Sequence, residues 1–220
     1  MRWTRRPAGA TAFAAAAAGA FIAVRRASLR WGATEEELGM ALPGDELLPA
    51  ADLTATRAIG IGAPPSAVWP WLTQLGQNRG GFYTYDWLEN LIGLHIHSAD
   101  AVTPELQVRG VGEAVDLAPG AGLVVVRLED EHGLVLGGGV DAAGNGHTTT
   151  DETGAPYDFT WAFVLLPQPD GTTRLVVRER YAYRSRWAAL LVEPVEMLSF
   201  LMTERMLRGI RDRAESGRPH

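Results

Sequence analysis

Glu179 is the residue with the clearest chemical potential in this 220-residue chain. It stands in the segment Thr173 to Tyr183, where Leu175, Val177, Glu179, Tyr181 and Tyr183 share one face of an extended strand. An acid on an otherwise apolar or phenolic face is costly to bury unpaired, and burial favours its neutral form. Together with Tyr181 or Tyr183, Glu179 can hydrogen-bond a ligand hydroxyl or act as an acid/base. These three residues are the catalytic candidates. Arg57 interrupts the face made by Leu53, Ala55, Ile59 and Ile61 in the same way. An Arg57–Glu179 pair would serve either to hold a sheet edge or to read a ligand.

A second constellation is aromatic: Phe82, Tyr83, Tyr85 and Trp87, interleaved with Asp86, Glu89 and Asn90. Apolar bodies with polar tips suit the mouth of a cavity, and equally suit packing a short helix onto a sheet. Asp86 directly precedes an apolar run and can cap it. A third group, His95, His97 and Asp100, resembles a metal cluster on paper. Zinc would need the acid to fold back, and His132, His147 and His220 lie far off in sequence, so no metal is expected. The glycine-rich stretches Gln77 to Gly81 and Gly137-Gly138-Gly139 lack dinucleotide or Walker spacing. The first reads as a hinge and the second as a strand-end turn or bulge. No G-x-S-x-G elbow occurs, and no cofactor is expected.

Composition narrows the chemistry further. The chain has no cysteine, which excludes disulfides and thiol nucleophiles. All 20 basic residues are arginine, which excludes lysine Schiff bases. A formal net charge of −6 argues against a nucleic-acid partner.

Residues Ala8 to Val24 are uncharged and mostly alanine, with arginines on both sides. The run sits at the short limit for a bilayer span, which takes about 20 apolar residues. A membrane anchor, a cleaved signal and an alanine-rich helix that never meets lipid are the three readings. The anchor, residues 8–24 within the N-terminal segment 1–30, would make the chain membrane-associated; without it the chain is expected to be cytoplasmic.

The remaining elements must position the chemistry. Residues 31–51 read as a linker that packs on the domain, with Thr34-Glu35-Glu36-Glu37 as a helix start and Pro43-Gly44-Asp45 as a break. Leu53 to Ile61 alternates as a strand. Pro65 opens a helix from Ser66 to Leu75 whose stripe is Val68, Trp71, Leu72 and Leu75. Tyr85 to Leu91 is a second short helix. Strands follow at Glu113 to Leu117, Leu123 to Leu128 and Leu134 to about Gly137, and Ala142 to Ala155 reads as an exposed loop. The two best strands are Tyr157 to Leu166, with Tyr157, Phe159, Trp161, Phe163 and Leu165 on one face, and Thr173 to Tyr183. Trp187 to Ala214 is a long helix with Val195, Leu198, Met202, Met206 and Ile210 on one side and Pro194 at its first turn or a kink. The pattern predicts an α+β fold: a curved antiparallel sheet and one long helix, with either a filled core or a ligand cavity between them.

This order, with Ala63-Pro64-Pro65-Ser66-Ala67-Val68-Trp69, resembles the helix-grip fold of the START/polyketide-cyclase (SRPBCC) superfamily. That superfamily opens its first short helix with an "ApxxVW" step. Leu75-Gly76-Gln77, Gly80-Gly81-Phe82-Tyr83, Asp86-Trp87-Leu88-Glu89-Asn90, Ile96-His97-Ser98-Ala99-Asp100, Glu193-Pro194 and Arg205-Met206-Leu207 look like an uncharacterised bacterial branch of it. The resemblance covers residues 52–214 and leaves 215–220 as a tail. It implies binding of a lipid, sterol, polyketide or other apolar molecule between sheet and helix, and it carries over no catalytic residue.

The leading expectation is therefore an apolar-ligand or lipid-binding protein. Its contacts would come from Trp71, Phe82, Tyr83, Tyr85 and Trp87, from Phe159, Trp161 and Phe163, and from Arg57, Glu179, Tyr181 and Met202. The rivals are a cyclase/aromatase- or dehydratase-type enzyme using Glu179 and the tyrosines, and a partner-binding domain with a filled core. A cavity of roughly 300 Å³ or more with Glu179 and Tyr181 on its wall favours the first two, and a filled core favours the third.

Overall fold

The computed structural model describes residues 8–91, 93, 95–118, 121–140, 146–147, 157–185 and 187–217. Helix α1, Ala8–Leu29, is the alanine-rich segment. Among the described residues no helix is long and apolar enough to cross a membrane. Phe13, Phe21, Ile22 and Val24 are exposed, while Ser28 near the helix end is buried against the domain.

Helix α2, Glu35–Gly39, starts as the sequence requires. Thr34 accepts a hydrogen bond from the Glu37 amide at 3.2 Å, and the Glu37 carboxylate accepts from the Thr34 amide at 2.8 Å. This reciprocal capping box satisfies two amides that the first turn leaves orphaned. Replacing Thr34 by alanine is expected to lower stability by about 1 kcal/mol, read as a fall in the urea midpoint at constant slope.

Strand β1, Leu53–Ile61, and helix α3, Pro65–Thr73, follow. Val68, Trp71, Leu72 and Leu75 are all buried, so the helical stripe lies where its spacing put it. Helix α4 is Asp86–Leu91. Then come β2, Ala114–Ala118; β3, Ala121–Glu129; β4, Gly133–Val140; the two-residue β5, Gly146–His147; β6, Tyr157–Pro167; and β7, Thr173–Tyr183. Helix α5, Ala188–Ser216, runs on through Pro194.

The sheet is antiparallel and open, in the order β1-β7-β6-β4-β3-β2, with β5 pairing beside β4. Register shifts between Asp116 and Ala118 and between Val125 and Arg127 interrupt its ladder, and irregularities of this kind bend and twist a sheet locally. The result is α+β, a curved sheet gripping a long helix, with two short helices after the first strand.

Two corrections to the sequence expectations belong here. Gly137, Gly138 and Gly139 are not a strand-end turn: they lie inside β4, paired with Thr160 and Phe159 of β6 and His147 of β5. Glycine weakens a strand, yet partners on both sides supply the ladder bonds that local preference does not. The polar stretch from 142 to 155 is not wholly loop, since Gly146–His147 forms β5; its other residues lie outside those described.

The sheet has two dry faces. The inner face packs Ile59, Ile61, Phe159, Phe163, Leu165, Leu175 and Val177 against α3 and α5. The outer face packs Ala58, Val164 and Val176 under Leu42 of the segment that follows α2. Residues 32–48, with α2 among them, are clasped by three arginines on the outer side of β7. Arg174 donates to both Glu37 carboxylate oxygens and to the Gly32 carbonyl, at 2.6, 2.9 and 2.5 Å. Arg178 donates to the carbonyls of Glu37 and Met40 and to Asp45, all within 2.7 Å. Arg180 donates to the Leu48 carbonyl at 2.8 and 3.0 Å. Guanidinium carries five donors in a rigid fork, which is why each arginine can close several orphan acceptors at once.

Candidate functional site

β1 and β7 lie side by side with Arg57 opposite Val177 and Ala55 opposite Glu179. Arg57 and Glu179 therefore sit diagonally on the inner face, close enough for direct pairing. The Arg57 Nη1 donates to Glu179 Oε1 at 2.9 Å. A third member arrives from α5: Arg57 Nη2 donates to Glu196 Oε1 at 2.7 Å. The remaining donor, Nε, reaches the carbonyl of Ser28 at 3.0 Å, at the end of α1. One guanidinium thus ties β1, β7, α5 and α1 together. Arg57, Glu179 and Glu196 are only 1%, 2% and 2% exposed.

Two carboxylates share this one guanidinium. Burial pushes Glu196 above the usual carboxylate range, and the charge of Glu179 adds to that; Arg57, and then Arg25 on α1, pull it back. Glu179 Oε1 also accepts from the Thr203 hydroxyl of α5 at 3.1 Å. Its Oε2 has only the Tyr181 hydroxyl, at the long distance of 3.5 Å, among the described residues. Burial, and then the Glu179 charge beside it, hold the Tyr181 phenol well above its ordinary range, so it stays protonated.

A cavity of about 260 Å³ adjoins this trio. Its sheet wall is Tyr157, Phe159 and Trp161 of β6 with Glu179 and Tyr181 of β7. The β2–β3 end supplies Leu117 and Leu123, and Phe82 and Thr84 come from the loop before α4. Helix α5 closes it with Ser199, Met202, Thr203 and Met206. The rings are grouped tightly: Phe159 to Tyr181 is 4.6 Å between centroids, Tyr157 to Tyr181 5.7 Å and Phe159 to Trp161 6.5 Å. Register explains the grouping, since β6 and β7 pair Phe159 with Tyr181 and Trp161 with Glu179. The Trp161 Nε1–H is buried with no acceptor among the described residues.

The structure sorts the sequence candidates. Phe82, Phe159, Trp161, Glu179, Tyr181 and Met202 line the cavity. Arg57 does not, but it fixes the carboxylate that does. Phe163 is fully buried beneath the cavity in the core. Trp71 packs edge-on against Tyr83, at 5.8 Å between centroids, away from the cavity. Tyr83 is buried at φ 57°, with its hydroxyl donating to the Trp71 carbonyl at 3.1 Å and Arg213 over its ring; burial pushes its phenol up to about 12. Tyr85 and Trp87 are exposed, Trp87 at 68%. Tyr183 ends β7 outside the cavity lining. Asp86 binds Ser98 through its amide and hydroxyl, at 2.8 and 2.6 Å, and Asn90 grips the backbone of Ile96, so this patch fastens the 95–98 segment to α4. The side chain of Glu89 lies outside those described. No group of three or more His, Asp or Glu is placed to hold a metal among the described residues.

Glu196 escaped the sequence reading. The buried stripe of α5 includes Val192, Glu196, Thr203, Met206 and Ile210, which extends the Met206–Ile210 spacing back toward the helix start. Val195 and Leu198, the expected start of that stripe, have side chains outside those described. Extending the stripe from its C-terminal end is the signal that finds Glu196.

Fold and site together define a helix-grip-like α+β protein with a small, mostly apolar cavity beside a buried charged trio. No protein-family model matches the chain, and no curated protein matches it by sequence. Solved structures share the chain path loosely. Protein MLL2253 from Mesorhizobium loti is 17% identical over 76% of this chain and 100% of its own, with TM-score 0.43. TTHA0849 from Thermus thermophilus is 16% identical over 76% and 100%, with TM-score 0.41. DynU16, a protein of the dynemicin biosynthetic locus, is 16% identical over 76% of this chain and 49% of its own, with TM-score 0.42. Likeness at this level carries no argument about function.

Proposed function

We propose that the protein binds a small apolar molecule in the cavity between the sheet and α5. The observation that carries this reading is the cavity itself: about 260 Å³, walled by aromatic rings and methionines, with the buried Glu179 at one point of the wall. Pockets for small molecules have this character, an apolar lining with few convergent polar groups. The driving force is removal of ligand surface from water, about 25 cal/mol per Å². The volume lies just under the roughly 300–1,000 Å³ of drug-sized sites, so it suits a one- or two-ring or short-chain molecule rather than a diacyl lipid.

The cyclase- or dehydratase-type reading draws on Tyr181, a protonated phenol beside Glu179. Glu179 is already engaged by Arg57 and Thr203 at 2.9 and 3.1 Å, both on Oε1, which ties that oxygen to holding strand and helix together. A void of this size weighs against the filled-core reading.

Naphthalene, followed by its own fluorescence, tests the proposal. Saturable one-site binding is expected, weakened at least about tenfold by Met202→Trp, which fills the void from α5 without entering the buried core. Absence of saturable binding, or binding indifferent to Met202→Trp, would overturn it. Native mass spectrometry of protein purified from its own host then identifies the natural occupant.

A further inference from the structure

We infer that the ligand of this cavity is a small organic cation, a protonated amine or quaternary ammonium on an apolar body, with Glu179 as its counter-ion. The inference rests on the reading of the cavity as a ligand site and names the class of ligand.

Three observations carry it. The first is charge. Arg57 is divided between Glu179 and Glu196, at 2.9 and 2.7 Å. Of the two acids that share it, Glu179 is the one on the cavity wall. The second is the state of its outer oxygen. Among the described residues Oε2 has only the Tyr181 hydroxyl at 3.5 Å, which leaves acceptor capacity for a ligand. The third is the wall. Tyr157, Phe159, Trp161 and Tyr181 surround the same space, with centroids 4.6 to 6.5 Å from ring to ring. Aromatic faces carry negative charge density and attract a cation within about 6 Å of the centroid. Carboxylate and rings thus reinforce each other for a positive ligand.

The same features disfavour the opposite sign. No arginine lines the cavity among the described residues, so an anionic head would meet Glu179 with nothing to neutralise it. Fatty acids and other carboxylates are excluded as good ligands on this ground. A neutral apolar molecule can fill the volume but leaves Oε2 as it is.

Three matched probes test the inference by titration calorimetry on the full-length chain: benzyltrimethylammonium, its neutral carbon isostere neopentylbenzene, and phenylacetate. Benzyltrimethylammonium is expected to bind at least about tenfold tighter than the isostere, and phenylacetate weakest. Glu179→Gln should bring the two isosteres to within about threefold of each other. Phe159→Leu, which keeps an apolar wall and leaves the trio intact, should weaken the ammonium alone and guards against a fold effect of Glu179→Gln. Equal binding of ammonium and isostere, or a preference for phenylacetate, overturns the cation assignment while leaving the cavity reading standing. Failure of all three probes to bind overturns both.

Discussion

Arg57→Met is expected to cost about 3–5 kcal/mol of folding stability, the range for removing one partner from a buried ionic cluster. The change keeps much of the side-chain volume, so the loss is electrostatic rather than a cavity effect. It leaves Glu179 and Glu196 facing each other across the sheet–helix interface without their shared cation, and it strips the donor from the Ser28 carbonyl. A pH signature separates this from ordinary packing loss. Burial already raises Glu196 above its unfolded value of 4.5, and removing Arg57 removes the largest force opposing that rise. A group raised in the folded state contributes stability fully below its unfolded pKa and loses it as pH climbs through the folded one. The variant should therefore gain stability on moving from about pH 7.5 to about pH 5 relative to the wild type, as seen in urea midpoints at each pH. Adding Glu179→Gln and Glu196→Gln should recover much of the loss, because the three side chains act as one unit. A loss below about 1 kcal/mol, or one independent of pH, would show that the trio is not the keystone its geometry describes.

Gly209→Ala is the second large effect, and its sign is the informative part. In an exposed helix interior the change gains about 1 kcal/mol. Here a methyl group on Gly209 would press into the Tyr83 carbonyl oxygen and stand 2.7 Å from the Tyr83 Cβ. Tyr83 has nowhere to retreat: it is buried, held at φ 57° and fixed through its hydroxyl. A net loss of about 1–3 kcal/mol is expected from this overpacking, measured by chemical denaturation. A gain would mean that the loop before α4 yields more readily than its contacts imply. The same loop carries Phe82 to the cavity wall, so the variant should also weaken naphthalene binding.

The parts of this molecule that were legible in its sequence are those set by period. Alternation put Phe159, Trp161 and Phe163 on one side of β6, and Leu175, Val177, Glu179 and Tyr181 on one side of β7, where the structure has them. Arg57 and Glu179 stood out because each breaks an apolar face, and the antiparallel pairing of β1 and β7 brings them together. The aromatic patch was not legible in the same way. Tyr83 takes a left-handed backbone, so neighbours in sequence diverge: Phe82 turns to the cavity, Tyr83 to the core, and Trp87 to solvent. Irregular loops have no period from which to read direction. Glu196 was obscured because its helix carries two apolar phases near its start, and the buried one shows only when the stripe is read back from Met206 and Ile210. The clasp of Arg174, Arg178 and Arg180 left even less trace, since most of its acceptors are backbone carbonyls, which every residue owns.

That clasp also sets an order of events. Arg178 reaches the carbonyls of Glu37 and Leu38, 141 and 140 residues earlier in the chain. Closing so long a loop costs entropy before any contact repays it, and contacts of this span slow folding. On a ribosome, which extends the chain from its N-terminus, the capped turn of α2 and the strand β1 emerge long before β7 exists to receive them. During that interval Leu42 and Ala58 have no Val176 to cover them, and β1 has no partner along its length. The last hairpin to be made is thus the one that gives β1 its strand partner and completes the outer face, while the inner face waits longer still, for α5.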